Sequence, residues 1–138
     1  MKKLLITTIL TLACVVRADV ATNAITVNAY LSVANGSISL NRSVAGYRAN
    51  QTQATMNSAV QSIATTTNAI TAPQVTTGGY AWFRNVGTQT VYVAVETSTT
   101  PFLKLLTNDV ALFRVGTTNL NAWTITGTGS LDWWILND

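Results

Sequence analysis

The 138-residue sequence contains no histidine and one cysteine, Cys14. Without histidine, the commonest general base and the commonest metal ligand are both missing. No Ser-His-Asp or Cys-His relay can be assembled. A single cysteine makes no intramolecular disulfide and no cysteine-based metal site. Charge is scarce as well: 9% of residues are charged, where ordinary soluble domains carry about a quarter. The five acids are dispersed. Glu96 and Asp109 fall at strand ends, Asp132 lies in a terminal strand, and Asp19 and Asp138 lie near the two ends of the chain. A paired-carboxylate site would need Glu96 and Asp109 to face one another across loops; solvated turn acids are the simpler reading. Phosphate-binding loops, dinucleotide glycine fingerprints and calcium loops are all missing. The expectation is a protein that is no enzyme and has no cofactor and no metal.

The net charge of +3 does not describe the body of the chain. Lys2, Lys3 and Arg17 precede it, and from Ala18 onward five cations (Arg42, Arg48, Arg84, Lys104, Arg114) balance the five acids. No basic stripe remains to neutralise phosphates, so nucleic-acid binding is not expected. Thr, Ser, Asn and Gln supply the polarity instead. An uncharged surface resists association poorly, which favours a protein built to pack against neighbours.

Residues 1–24 form an apolar leader or arm ahead of a domain spanning 25–138. Two lysines, an apolar run from Leu4 to Val16 and a small residue at Ala18 have the shape of a secretory signal peptide. The same run, rich in Ile and Thr, reads equally as a buried strand or as an arm packed on a partner. At about 13 residues it is short of the roughly 20 needed to span a membrane. Membrane contact would follow only from export, with secretion if the chain is cut after Ala18.

From Ile25 the pattern is alternation. Ile25, Val27, Ala29, Leu31 and Val33 share one face of a strand, Asn35-Gly36 supplies a tight turn, and Ile38 and Leu40 return facing in. Residues 43–58 read as a long loop or irregular edge strand, with a short helix possible through Met56, Val60 and Ile63. "YAWFR" and "TVYVAVE" flank "NVGTQ" as a hairpin in which Gly87 would take positive φ. "FLKLL" and "DVALFRV" follow across "TND", and "AWTIT" and "LDWWIL" meet across "GTGS". Short strands with turn signals between them and no long helix predict an all-β fold, an antiparallel β-sandwich or jelly-roll-like barrel.

The stretches "ITVNAYLSVANGSISLNRS", "VTTGGYAWFRNVGTQTVYVAV", "FLKLLTNDVALFRV" and "LDWWILND" together resemble a group of small bacteriophage virion proteins, all-β accessory proteins of heads or tails. The resemblance covers residues 25–138 and is one of order and spacing. It implies a virion location, capsid decoration or a minor head or tail role, and other virion proteins as partners. It transfers no catalytic residue.

The candidate contact residues are Tyr80, Trp82, Arg84, Tyr92, Arg114, Trp133 and Trp134. Tyr80 and Trp82 share one face of their strand, with Ala81 and Phe83 on the other. Trp133 and Trp134 are adjacent and must point to opposite faces, so one is core and the other is exposed or covered by another chain. Arg84 and Arg114 are either anchors for a neighbouring subunit or plain outward-facing strand residues. Exposed aromatics could also stack on sugar rings, so the alternative function is a secreted or surface-attached sandwich that binds glycan. The low charge predicts a homo-oligomer, and the resemblance to virion accessory proteins implies that a trimer is favoured.

Overall fold

The computed structural model describes residues 23–35, 37–51 and 53–138. The apolar leader, its export reading and Cys14 lie outside the described residues. Within these bounds the chain forms ten strands and no helix. β1 (Asn23–Asn35) and β2 (Ile38–Gln51) pair antiparallel as a two-stranded ribbon. β3 (Met56–Ile63), β5 (Gly78–Asn85), β8 (Val110–Arg114) and β10 (Gly129–Asn137) make one sheet in the order β3-β10-β5-β8. β4 (Asn68–Ile70), β6 (Val91–Val95), β7 (Leu103–Leu105) and β9 (Leu120–Thr124) make the second, ordered β4-β9-β6-β7. Every pairing is antiparallel. From β3 to β10 the chain changes sheet at every connection except β6–β7. That strand order is the eight-stranded jelly roll, one of the two architectures the alternation predicts.

Alternation explains the core. On β10, burial switches at every residue, with Leu131, Trp133 and Ile135 inside. They meet Ala81 and Phe83 of β5 and Ile63 of β3 from their own sheet. Val91, Val93, Leu105, Leu120, Ala122 and Ile70 face them from the other. From buried Phe83 a chain of rings runs outward through half-buried Phe113 to exposed Phe102, stacked at 5.7 Å and then edge-on at 5.6 Å. Among the described residues every buried polar side-chain atom has a partner.

Three expectations are corrected. First, Met56, Val60 and Ile63 lie on strand β3 and not on a helix. Ile63 is buried while Met56 and Val60 are exposed, because a period of two places position 63 opposite in facing to 56 and 60. Of the two readings of 43–58, loop or irregular edge strand, the second fits, since β2 runs on to Gln51 and β3 begins at Met56.

Second, the "YAWFR"–"TVYVAVE" segment is an arch between sheets and not a hairpin. β5 pairs with β10 and β8, whereas β6 pairs with β9 and β7. "AWTIT" and "LDWWIL" (β9 and β10) are separated in the same way. Buried Asn85 fixes the first arch. Its amide donates to the Gln89 carbonyl at 2.7 Å and the Leu105 carbonyl at 3.1 Å, and its oxygen accepts from the Gly87 N–H at 3.0 Å.

Third, the described glycines with positive φ are Gly46 and Gly127, not Gly87. Gly87 is needed for close approach: a Cβ there would lie 2.6 Å from the Ser130 backbone nitrogen.

The ribbon differs from the sandwich. Its expected half-buried face is realised at Ile25 and Val27, but Ala29 is exposed. A register shift between Val27 and Ala29 interrupts the alternation there.

Candidate functional site

The outer face of the β3-β10-β5-β8 sheet carries most of the residues singled out from sequence. The register sets Ser58, Trp134, Trp82 and Leu112 side by side across all four strands. The next row holds Val60, Asp132, Arg84 and Val110. Trp82 and Trp134 stack nearly parallel, with centroids 6.3 Å apart and an interplanar angle of 5°. Val60, Val110 and Leu112 are exposed around them. Asp132 and Arg84 stand directly opposite one another, a favourable cross-strand pairing that leaves this row without net charge.

Tyr80 and Arg114 occupy the third row. The guanidinium lies over the Tyr80 ring, 5.5 Å from its centroid, and Nη2 of Arg114 donates to the Asp138 carboxylate at 2.7 Å. Arg114 thus ties the chain end to the sheet, and its cation is partly satisfied within the subunit. Desolvation raises the Tyr80 phenol above the ordinary tyrosine value, and a hydrogen bond and charge interaction with Tyr47 act in the same direction, against an opposing effect of Arg114. Tyr47 belongs to β2, so the ribbon reaches this face.

Trp133 is core, 3% exposed, and its Nε1 donates to Oε1 of Gln61 at 3.3 Å. Of the seven candidates it is the one removed from any contact role. Tyr92 is on the opposite sheet, away from Tyr80 and Trp82. It stands across from Trp123 of β9, with ring centroids 5.9 Å apart at 18°. The candidates therefore divide between two faces. Trp123, Leu112 and Val60 join them as residues that sequence reasoning did not select. The partnership of Tyr92 with Trp123 depends on β6 pairing with β9, strands separated in sequence by β7 and β8, so no local signal could reveal it.

Little on either face bears chemistry. The Asp109 carboxylate accepts from the Leu106 N–H at 2.8 Å, closing the turn before β8. Glu96 has φ of 55° at the end of β6, which fits a turn acid. Among the described residues no three His, Cys, Asp or Glu side chains gather in a group that could hold a metal ion. No helix among them is long and apolar enough to cross a membrane. The chain matches no protein-family model, no curated protein and no solved structure.

Proposed function

We propose that this chain is a structural component of a bacteriophage particle, a capsid-decorating or minor head or tail protein acting through contacts with copies of itself and with other virion proteins. The jelly roll alone does not decide this, since capsid and carbohydrate-binding domains both use it. The observation that carries the reading is the β1–β2 ribbon. Among the described residues no third strand pairs with it, and isolated two-stranded sheets are marginal in water. At 13 and 14 residues its strands would extend about 40 Å. It leaves Tyr30 69% exposed, with Val44 and Tyr47 both at 53%. Among the described residues both strands are edges, and unpaired edges are templates for pairing with another chain. A second copy of this chain is the occupant we assign to the ribbon, because a body of balanced charge offers no repulsion between copies. The uncharged Trp82–Trp134 row widens the area available.

Sedimentation of the full-length chain at micromolar concentration tests the reading. A homo-oligomer, with a trimer favoured, is expected, each contact burying at least about 1,000 Å² in total. Tyr30→Lys with Val44→Lys should shift the population towards monomer without unfolding the sandwich. A clean 14.7 kDa monomer with the leader present refutes the proposal. Mass spectrometry of the mature N-terminus separates the compartments: Met1 or Lys2 fits cytoplasmic virion assembly, and Asp19 fits an exported protein.

A further inference from the structure

On the β4-β9-β6-β7 sheet, Trp123 lines a groove of about 400 Å³ whose other walls are Thr65, Thr66, Thr67, Ser98 and Thr99. We propose that this groove is a binding site for a neutral carbohydrate, with Trp123 as the surface on which a sugar ring lies. The proposal goes beyond the assembly role and does not rest on it, because Trp123 lies on the sheet opposite the Trp82–Trp134 row and the other groove residues lie in loops beside β4 and β6.

Three properties of the groove define its ligand. It offers one aromatic ring and a set of hydroxyls, the complement of a pyranose, whose C–H face is apolar and whose rim is hydroxylated. Its lining carries no charge, so nothing in it selects a phosphate, a carboxylate or an amine. Its volume lies within the range of about 300–1,000 Å³ usual for small-ligand sites. Every lining residue other than Trp123 carries a hydroxyl, with the Ser98 hydroxyl donating to the Thr100 carbonyl at 3.3 Å, which suits a ligand made of hydroxyls better than an apolar protein surface.

The walls are held in place before any ligand arrives. Tyr92 stacks beside Trp123 on the neighbouring strand and limits its rotation. The threonine wall is fixed by Asn68, whose amide nitrogen lies 3.4 Å from the Ala64 carbonyl, 2.5 Å from that of Thr66 and 3.2 Å from that of Ala122 on β9. The backbone of Thr124 donates to the same Ala64 carbonyl at 3.0 Å. On the opposite wall, Ser98 Oγ accepts from the Thr100 N–H at 3.1 Å, and the Ser98 N–H donates to the Val95 carbonyl at 3.1 Å. Such preorganisation lowers the ordering cost of binding.

The test titrates the full-length protein with neutral glucan, mannan, galactan and N-acetylglucosamine oligosaccharides, read by tryptophan fluorescence and saturation-transfer NMR. Saturable binding of at least one oligosaccharide is expected. Trp123→Ala should weaken it about tenfold or more, the scale of one lost aromatic contact. Thr66→Val with Thr99→Val, on exposed loop positions, should weaken it while leaving the far-ultraviolet circular dichroism unchanged. This double variant decides the matter if Trp123→Ala unfolds. Trp134→Ala should bind as the parent does. No saturable binding across the panel overturns the site. So does binding that survives both groove variants, or binding lost in Trp134→Ala. Self-association of the Tyr30→Lys, Val44→Lys chain is a separate readout, so either proposal can fail alone.

Discussion

Trp133 and Trp134 are consecutive, chemically identical and differently placed, which makes them a controlled comparison. Trp133 fills the core and its indole nitrogen is satisfied by Gln61, so Trp133→Ala should cost about 3–5 kcal/mol, as large core aromatics do. Trp134 lies half-buried on the outer face against Trp82. Its replacement by alanine should cost no more than about 0.5–1.5 kcal/mol of stacking while weakening self-association. Urea denaturation monitored at equilibrium measures both, and equal severe unfolding would mean that the outer face is buried within one subunit. Tyr80 supplies a pH test. Its raised folded-state pKa means that, above the unfolded value of about 10, the native state keeps a proton that the unfolded state has released. This contribution is fully present below about pH 10 and is lost as pH rises through the folded value. Tyr80→Phe should therefore soften the alkaline fall of the urea midpoint relative to the parent.

Arches and hairpins look alike in sequence, and this sets how much of the fold was legible. Alternation set Ala81 and Phe83 on the face opposite Tyr80 and Trp82 because side-chain facing is a local property of a strand. It also gave the split of Trp133 from Trp134. Which sheet the next strand joins is not local. "NVGTQ" carries turn residues whether β6 returns beside β5 or crosses to the opposite sheet. The residue that discloses the arch is Asn85, whose amide reaches the Leu105 carbonyl on β7, and a buried asparagine cannot be told from a turn asparagine by its neighbours in sequence. The site followed the same rule: Trp82 and Trp134 were named individually, but their stacking needed the β5–β10 register, and Trp123 needed the groove. The arch yields its own prediction. Gly87→Ala pushes a Cβ against the Ser130 backbone nitrogen at 2.6 Å, whereas Gly116 has nothing within 4 Å of the same atom. Gly87→Ala should lower the melting temperature by several degrees, the effect of about 1–3 kcal/mol of overpacking in a domain of this size. Gly116→Ala should be neutral or stabilising by up to about 1 kcal/mol. Thermal denaturation of the two variants side by side checks it.

Among the residues whose burial is described, the hydrophobic core draws on positions from Ile63 to Ile135 and on none from β1 or β2. Each sheet of the jelly roll completes its pairing without the ribbon, and Tyr47 of the ribbon acts on Tyr80 of the sandwich. Under the proposed function, folding and assembly fall to different segments: the sandwich completes its own sheets, and among the described residues the ribbon has exposed tyrosines and two unpaired edges. A chain beginning at Gln53 should consequently fold with a sharp urea transition. Its midpoint should lie close to that of the full-length protein. Its m-value should fall only modestly, because the ribbon removes little surface from water and m follows the area exposed on unfolding. The same truncation should be monomeric at concentrations where the full chain associates, since it has lost the ribbon to which the proposal assigns the contact. Sedimentation and urea denaturation on the two chains measure these outcomes independently. A truncated sandwich that cannot fold would show that the ribbon belongs to the core. One that folds and still oligomerises would move the principal contact from the ribbon to the Trp82–Trp134 row.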